Sequence, residues 1–108
     1  MLLSYGKKDG STVKIRVKEV TSAPPVTIGR DSTATVQVDD PKCSRVHVGV
    51  RYWEDVFVVL DMKSHNGTYL NGEKIAVAIL KPGDILKIGD TEIRALTEGT
   101  RGDVTMTF

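Results

Sequence analysis

The sequence lacks what several protein classes require. Its 108 residues include a single cysteine, Cys43, which excludes an internal disulfide framework and a multi-cysteine zinc site. No apolar run approaches the roughly 20 residues that span a bilayer, and no basic stretch followed by an apolar signal core opens the chain. These absences predict an intracellular, cytoplasmic protein without a membrane partner, either whole or a module of a larger protein.

An excess of charge of one sign is missing as well. The chain carries 15 Lys and Arg against 14 Asp and Glu, for a formal net charge of +1. A dedicated nucleic-acid binder needs a basic face that neutralises several phosphates, so we expect no direct nucleic-acid partner. Hydrophobic residues make up 40% and charged residues 27%, as in an ordinary single globular domain.

Apolar residues recur mostly at every second position, which is the period of a half-buried strand. Strands are predicted at Leu2–Tyr5, Thr12–Val20, Val26–Gly29, Thr35–Val38, Val46–Tyr52, Val56–Asp61, Lys74–Ile79, Ile85–Ile88 and Glu92–Leu96. Turn signals such as Asn-Gly and Pro-Gly separate these segments. The pattern predicts an all-β sandwich with functional loops at one end.

We expect one domain over residues 1–96. The tail, residues 97–108, is rich in Gly and Thr, and Val104, Met106 and Phe108 alternate in it. It is predicted to be a final edge strand or the start of a linker.

Short polar motifs occupy several predicted loops, where binding residues usually lie on a rigid sheet scaffold. They are Ile28-Gly29-Arg30, Ser44-Arg45-Val46-His47, Ser64-His65-Asn66-Gly67-Thr68 and Asn71-Gly72. Each dipeptide alone is a weak signal, but the ordered set is highly specific. Together the motifs resemble the forkhead-associated (FHA) domain, a phosphothreonine-peptide recognition module, over roughly Leu3 to Leu96. The resemblance implies a sandwich of two twisted, mainly antiparallel sheets.

The residue types suit phosphate chemistry. A phosphothreonine brings about −1.5 to −2 charges and three strong acceptor oxygens. The planar fork of an arginine matches two of those oxygens, and a serine hydroxyl with nearby backbone N–H groups satisfies remaining lone pairs.

The resemblance implies that Arg30 and Ser44 bind the phosphate. It implies that Arg45 contacts the phosphate or the peptide backbone. His65 stands where the family often has Ser or Thr, so its imidazole either donates a bond to the phosphate or points away.

For the remaining motif residues, the resemblance implies contact with the peptide backbone or support of the loops. Asn66 is expected to bind the peptide backbone, whereas Asn71 either reaches the peptide or braces the loops. Structural support of the site is expected from Gly29, His47, Gly67 and Thr68.

The function predicted from this resemblance is a non-catalytic module for phosphorylation-dependent protein–protein interaction, with a Ser/Thr protein kinase upstream and no cofactor or metal. One alternative is an FHA-like scaffold that uses a sheet face for phospho-independent binding or assembly. A hydrolase built on Ser44, His47 and Asp61 is disfavoured, because no Gly-x-Ser-x-Gly elbow is present.

Overall fold

Strands dominate the computed structural model, which describes residues 1–97 and 106–108. The described residues form β1 (Leu2–Gly6), β2 (Thr12–Arg16), β3 (Val26–Gly29), β4 (Val36–Gln37), β5 (Val48–Trp53), β6 (Val56–Asp61), β7 (Thr68–Leu70), β8 (Glu73–Ile75), β9 (Val77–Leu80), β10 (Ile85–Ile88), β11 (Thr91–Leu96) and β12 (Met106–Thr107). Short runs of β-branched residues bounded by turn residues explain this pattern.

The strands form two sheets. One has seven strands in the order β12-β2-β1-β11-β10-β7-β8, and the other has five in the order β4-β3-β5-β6-β9. Neighbours are antiparallel except for the parallel pairs β3–β4 and β12–β2, which lie at sheet edges. The predicted all-β sandwich of two mainly antiparallel sheets is therefore confirmed.

The core lies between the sheets and follows the period-two alternation. In β2, Val13 and Ile15 are buried, whereas the intervening Lys14 is only half-buried. Fully or almost fully buried side chains that join the two layers include Ile15, Ile28, Val48, Val50, Val59, Leu86, Ile88 and Ile93. This packed layer fixes the positions from which the loops at one end extend.

Some strand boundaries differ from the prediction. The segment predicted at Thr12–Val20 ends as a strand at Arg16, because its partner strand begins at Leu2. The segment predicted at Lys74–Ile79 divides at a bend into β8 in one sheet and β9 in the other. The three-residue strand β7 was not predicted, since it lies between two turn signals.

The tail is described only in part. Residues 98–105, including Val104, lie outside the described residues, whereas Met106–Thr107 pairs with β2. The domain boundary at residue 96 stays a prediction. None of the described segments forms a helix of the length and hydrophobicity that a membrane crossing requires.

Candidate functional site

Three of the four predicted motifs lie in loops that follow β3, β4 and β6, and the fourth, Asn71-Gly72, lies in the turn after β7. Backbone bonds join the first two loops: Arg30 N–H donates to Ser44 O at 3.0 Å, and Asp31 N–H donates to Arg45 O at 3.1 Å. The third loop joins them because His65 N–H donates to the Ser44 hydroxyl oxygen at 2.9 Å. Motifs that are distant in sequence therefore meet at one end of the sandwich.

Gly29 permits the close approach of the first two loops. A Cβ atom at this position would lie 2.1 Å from the Arg45 carbonyl oxygen. No side chain fits at that distance, so glycine is needed where the chain leaves β3 for the loop.

The fully buried side chain of His47 connects the second and third loops. Its Nδ1 accepts a bond from Ser44 N–H at 3.0 Å, and its Nε2 lies 2.8 Å from Gly67 O. Because Nδ1 accepts, the proton must lie on Nε2, which donates to Gly67. A neutral imidazole thus holds the serine loop against the Asn-Gly loop.

Asp61, at the end of β6, organises the third loop. Its Oδ1 accepts bonds from the hydroxyls of Ser64 and Thr68, and its Oδ2 accepts Ser64 N–H at 3.1 Å. The Ser64 hydroxyl oxygen in turn accepts Gly67 N–H at 3.0 Å. Burial alone disfavours the charged carboxylate, but the bonds from Ser64 and Thr68 outweigh it and hold the pKa of Asp61 below its ordinary value.

Asp40 ties the second loop to the turn between β10 and β11. Its Oδ1 accepts Lys42 N–H at 2.9 Å, and its Oδ2 accepts Asp90 N–H at 2.8 Å and the Thr91 hydroxyl at 2.7 Å. Burial raises the pKa of Asp40, yet these bonds outweigh it, so the pKa is lowered overall. The loop that carries Ser44 is therefore anchored on two sides.

Arg30 and Ser44 keep donors that no described residue uses. Arg30 Nε–H donates to the Cys43 carbonyl oxygen at 3.0 Å, which holds the guanidinium beside the serine loop. Within residues 1–97 and 106–108, its terminal nitrogens have no hydrogen-bond partner. The Ser44 oxygen accepts from His65 N–H, and no described residue accepts its proton, which is therefore available to an outside acceptor.

The other predicted contact residues surround this pair. Arg45, His65 and Asn66 are all exposed. The Asn66 amide donates to Lys42 O at 2.8 Å, which leaves its oxygen without a partner among the described residues. This arrangement presents cationic and amide groups to a ligand at the loop end.

Asn71 lies farther along, at the turn between β7 and β8. Its side-chain N–H donates to Asp84 Oδ1 at 3.0 Å, and its Oδ1 accepts Ile85 N–H at 2.9 Å. Its φ of 49° is in the left-handed region, which asparagine tolerates better than most residues. In this structure Asn71 braces the turn, which is one of the two roles left open for it.

Two grooves border the loop end. One, of about 740 Å³, has Lys42, Asn66 and Tyr69 in its lining. The other, of about 1050 Å³, includes Arg30 and Lys7. Each groove therefore contains at least one residue of the predicted site, including Asn66 in the first and Arg30 in the second.

Asp40 and Asp84 were not predicted as site residues, and Asp61 was named only in the disfavoured hydrolase alternative, not as a brace. Asp61 carried a detectable signal, since an aspartate three residues before a serine is typical of a side-chain-stabilised turn. Asp40 accepts a local bond from Lys42 N–H, but its link to the other loop had no local signal, because its partners Asp90 and Thr91 follow 50 and 51 residues later.

Cys43 precedes Ser44 but has the environment of a packing residue. Burial and the nearby Asp40 carboxylate raise the pKa of its thiol to about 12, and Sγ–H donates to Ile88 O at 3.4 Å. The thiol is therefore protonated and turned inward. In the part of the chain that the structure describes, no cluster of three or more His, Cys, Asp or Glu residues is placed to hold a metal.

Comparison with known proteins identifies the chain's relatives. The FHA domain model matches residues 26–89, which include all of the predicted motifs. The glycogen accumulation regulator GarA of Mycobacterium tuberculosis is 36% identical over 75 residues, which cover 69% of this chain and 46% of GarA. The oxoglutarate dehydrogenase inhibitor of Corynebacterium glutamicum is 38% identical over 66 residues, 61% of this chain and 46% of that protein. The chain thus matches about half the length of these curated relatives.

Solved structures agree with the sequence comparison. The FHA domain of FhaA, solved in complex with the intracellular domain of Rv3910, superposes with a TM-score of 0.71 at 28% identity, covering 86% of this chain and 96% of that one. A structure from an analysis of phosphothreonine-dependent FHA domain interactions gives a TM-score of 0.72 at 25% identity, covering 93% and 100% of the two chains. The resemblance inferred from the motifs is confirmed.

Proposed function

Because the chain belongs to the FHA domain family of phosphothreonine-dependent interaction modules, we propose that Arg30 and Ser44 bind the phosphate of its target. The observation that carries this proposal is the position of the Arg30 guanidinium. It is held on the Cys43 carbonyl beside Ser44, and no described residue bonds its terminal N–H groups. A phosphate at this point would accept bonds from a fork and a hydroxyl that are already in position.

The expected energetics suit reversible signalling. Each charge-assisted bond contributes roughly 1.5–3 kcal/mol net. A few such bonds, together with peptide contacts, give about −8 kcal/mol, which corresponds to micromolar binding. We propose that Arg45 and His65, both exposed at the same loop end, supply further donors to the phosphate.

Contacts to the peptide backbone are proposed for Asn66. Its oxygen is open at the rim of the groove that also contains Tyr69. For Asn71 we propose a supporting role, since both polar atoms of its side chain already bond Asp84 and Ile85. His47, Gly29, Gly67 and Thr68 are proposed to act through the loops that they hold.

The biological setting is also a proposal. We propose that the module acts in the cytoplasm without catalysis or a cofactor, on a protein phosphorylated by a Ser/Thr kinase, and contacts neither nucleic acid nor membrane directly. The names of the relatives support this, since one is a regulator and the other an inhibitor of an enzyme. Burial and the Asp40 carboxylate raise the pKa of the Cys43 thiol to about 12, which argues against Cys43 as a nucleophile, because the thiolate is the nucleophilic form.

The proposal is tested by peptide binding with matched arginine variants. A library of fluorescent phosphothreonine peptides and their unphosphorylated twins is titrated with wild type, Arg30→Ala, Arg30→Lys and Ser44→Ala. Loss of the Arg30 fork is expected to weaken binding by about 10- to 100-fold, and Arg30→Lys restores only part because an ammonium cannot donate in a fork. Arg94→Ala, at an exposed position of β11, is the control and leaves binding unchanged.

Two results would contradict the proposal. One is equal binding of phosphorylated and unphosphorylated peptides. The other is retention of phosphopeptide affinity in both Arg30→Ala and Ser44→Ala, which would place the phosphate elsewhere. Partner capture that survives both phosphatase treatment and Arg30→Ala would favour the scaffold alternative.

A further inference from the structure

Strand β9 lies at an edge of the five-stranded sheet, and half of its backbone groups have no strand partner among the described residues. Its only sheet neighbour among the described residues is β6. Asp61 N–H donates to Ala76 O at 2.8 Å, which makes Asp61↔Ala76 a hydrogen-bonded pair. The pairs Val59↔Ala78 and Phe57↔Leu80 follow it at intervals of two residues. In an antiparallel ladder every second pair is hydrogen-bonded. The N–H and C=O groups of Val77 and Ile79 therefore point away from β6.

The side chains of this edge are apolar and exposed. Val77 is 60% exposed and Ile79 is 50% exposed, the two largest values among the exposed large hydrophobic residues. The run from Ile75 to Leu80 contains no charge and no proline. Natural edge strands usually carry a lysine, a proline or a bulge that prevents pairing with another chain. Inside Val77–Leu80 none of these is found, so the edge can accept another strand.

We propose that β9 pairs with β9 of a second copy of this chain, antiparallel and centred on Ala78. In this register Val77 of one copy faces Ile79 of the other, and the reverse pair follows by the two-fold symmetry. Each pair exchanges two backbone bonds, which uses every open group of Val77 and Ile79.

The neighbouring residues favour this register over the alternatives. A shift toward Lys81 would require its N–H, which already donates to Asp84 Oδ2 at 2.8 Å. A shift toward Ile75 would require a residue that is paired with Thr68 in the other sheet. Centring on Ala78 also places Ile75 opposite Lys81, so no two lysines face each other directly.

A second copy suits this edge because, in the register centred on Ala78, each open N–H of Val77 and Ile79 in one copy meets an open C=O in the other. The strand is short, however, and stable interfaces bury about 1,200–2,000 Å². The dimer is therefore weak, with a dissociation constant between about 10 µM and 1 mM. Antiparallel pairing directs the two loop ends in opposite directions, since β9 begins beside Asp61 at the loop end. One dimer would thus connect two separate phosphorylated partners.

The first test is sedimentation equilibrium over a wide concentration range. Wild type is expected to show a monomer–dimer equilibrium, and Val77→Lys is expected to raise the dissociation constant at least tenfold by placing two lysines in the pairing. Val20→Lys is the matched control, since Val20 is 43% exposed and lies outside the edge; it should dimerise like wild type. Circular dichroism verifies that both variants fold.

The second test is amide hydrogen exchange followed by nuclear magnetic resonance. The amides of Ala78 and Leu80 bond β6, so they should be protected at every concentration. The amides of Val77 and Ile79 should become protected only as the protein concentration rises. A wild type that stays monomeric at millimolar concentration, with fast exchange at Val77 and Ile79, would overturn the proposal. A dimer that Val77→Lys does not weaken would overturn it equally, because the two copies would then associate through another surface.

Discussion

Replacement of His47 by phenylalanine tests whether the loop site depends on the two hydrogen bonds that the buried imidazole makes. The substitution keeps a flat ring in a fully buried position but removes both ring nitrogens. Ser44 N–H and Gly67 C=O then lose the partners that lie at 3.0 and 2.8 Å.

The expected magnitude follows from these two groups. A buried polar group left unpaired costs roughly 1–3 kcal/mol, so the pair costs roughly 2–6 kcal/mol. A domain of this kind has a free energy of unfolding of about 5–15 kcal/mol, so the loss is a large share of it. Phosphopeptide affinity should fall by about tenfold or more in the folded fraction, because part of the binding energy must now order the loops.

Urea unfolding followed by circular dichroism gives the stability, and fluorescence of Trp53, the single tryptophan, gives a second probe. The control is His65→Phe at the other histidine, which is exposed and should change stability by no more than about 0.5 kcal/mol. A loss below about 1 kcal/mol in His47→Phe, with unchanged peptide affinity, would refute the role assigned to His47.

Three further predictions concern other supports of the site. Gly29→Ala should reduce the free energy of unfolding by more than about 2 kcal/mol in thermal melts, because its Cβ meets the Arg45 carbonyl, whereas Gly6→Ala, which has open space, should not. The pKa of Asp61 is lower in the folded chain than the ordinary aspartate value of about 3.9, so below that pH the unfolded chain binds a proton that folded Asp61 does not. The free energy of unfolding should therefore decrease as the pH is lowered through this range. Asp61→Asn should make that decrease less steep in acid titrations. Asn71→Ala should cost about 1–2 kcal/mol of stability with less than about a threefold change in peptide affinity by calorimetry; a larger affinity loss would assign it a ligand contact.

Local patterns predicted much of the fold. The bounds expected for Val26–Gly29, Val56–Asp61 and Ile85–Ile88 are those of β3, β6 and β10. Alternation and β-branching determine such strands locally, so they can be identified from a single sequence. The division of Lys74–Ile79 between two sheets could not be predicted, since it depends on which partner each half meets. The parallel pairing of β3 with β4 has no local signal either.

The candidate site was predictable where residue type alone determines the chemistry. Arg30 and Ser44 belong to an ordered motif set, and the structure brings their backbones together; their contact with phosphate stays a prediction. The bracing role of Asp40 was missed, because an aspartate that joins distant loops is indistinguishable in the sequence from an exposed one. Asp40 joins two distant loops through contacts made 50 residues later, and its identity as an aspartate beside Asp39 gives no sign of them.

The carboxylate and imidazole braces beneath the loops have a kinetic consequence. A receptor whose contact groups are already in place needs little rearrangement after encounter, so association should be governed by diffusion and orientation, at about 10⁵–10⁷ M⁻¹s⁻¹. Targets with different residues around the phosphothreonine would then differ mainly in residence time. Such a receptor would sample many phosphorylated segments quickly and remain on those that fit its grooves.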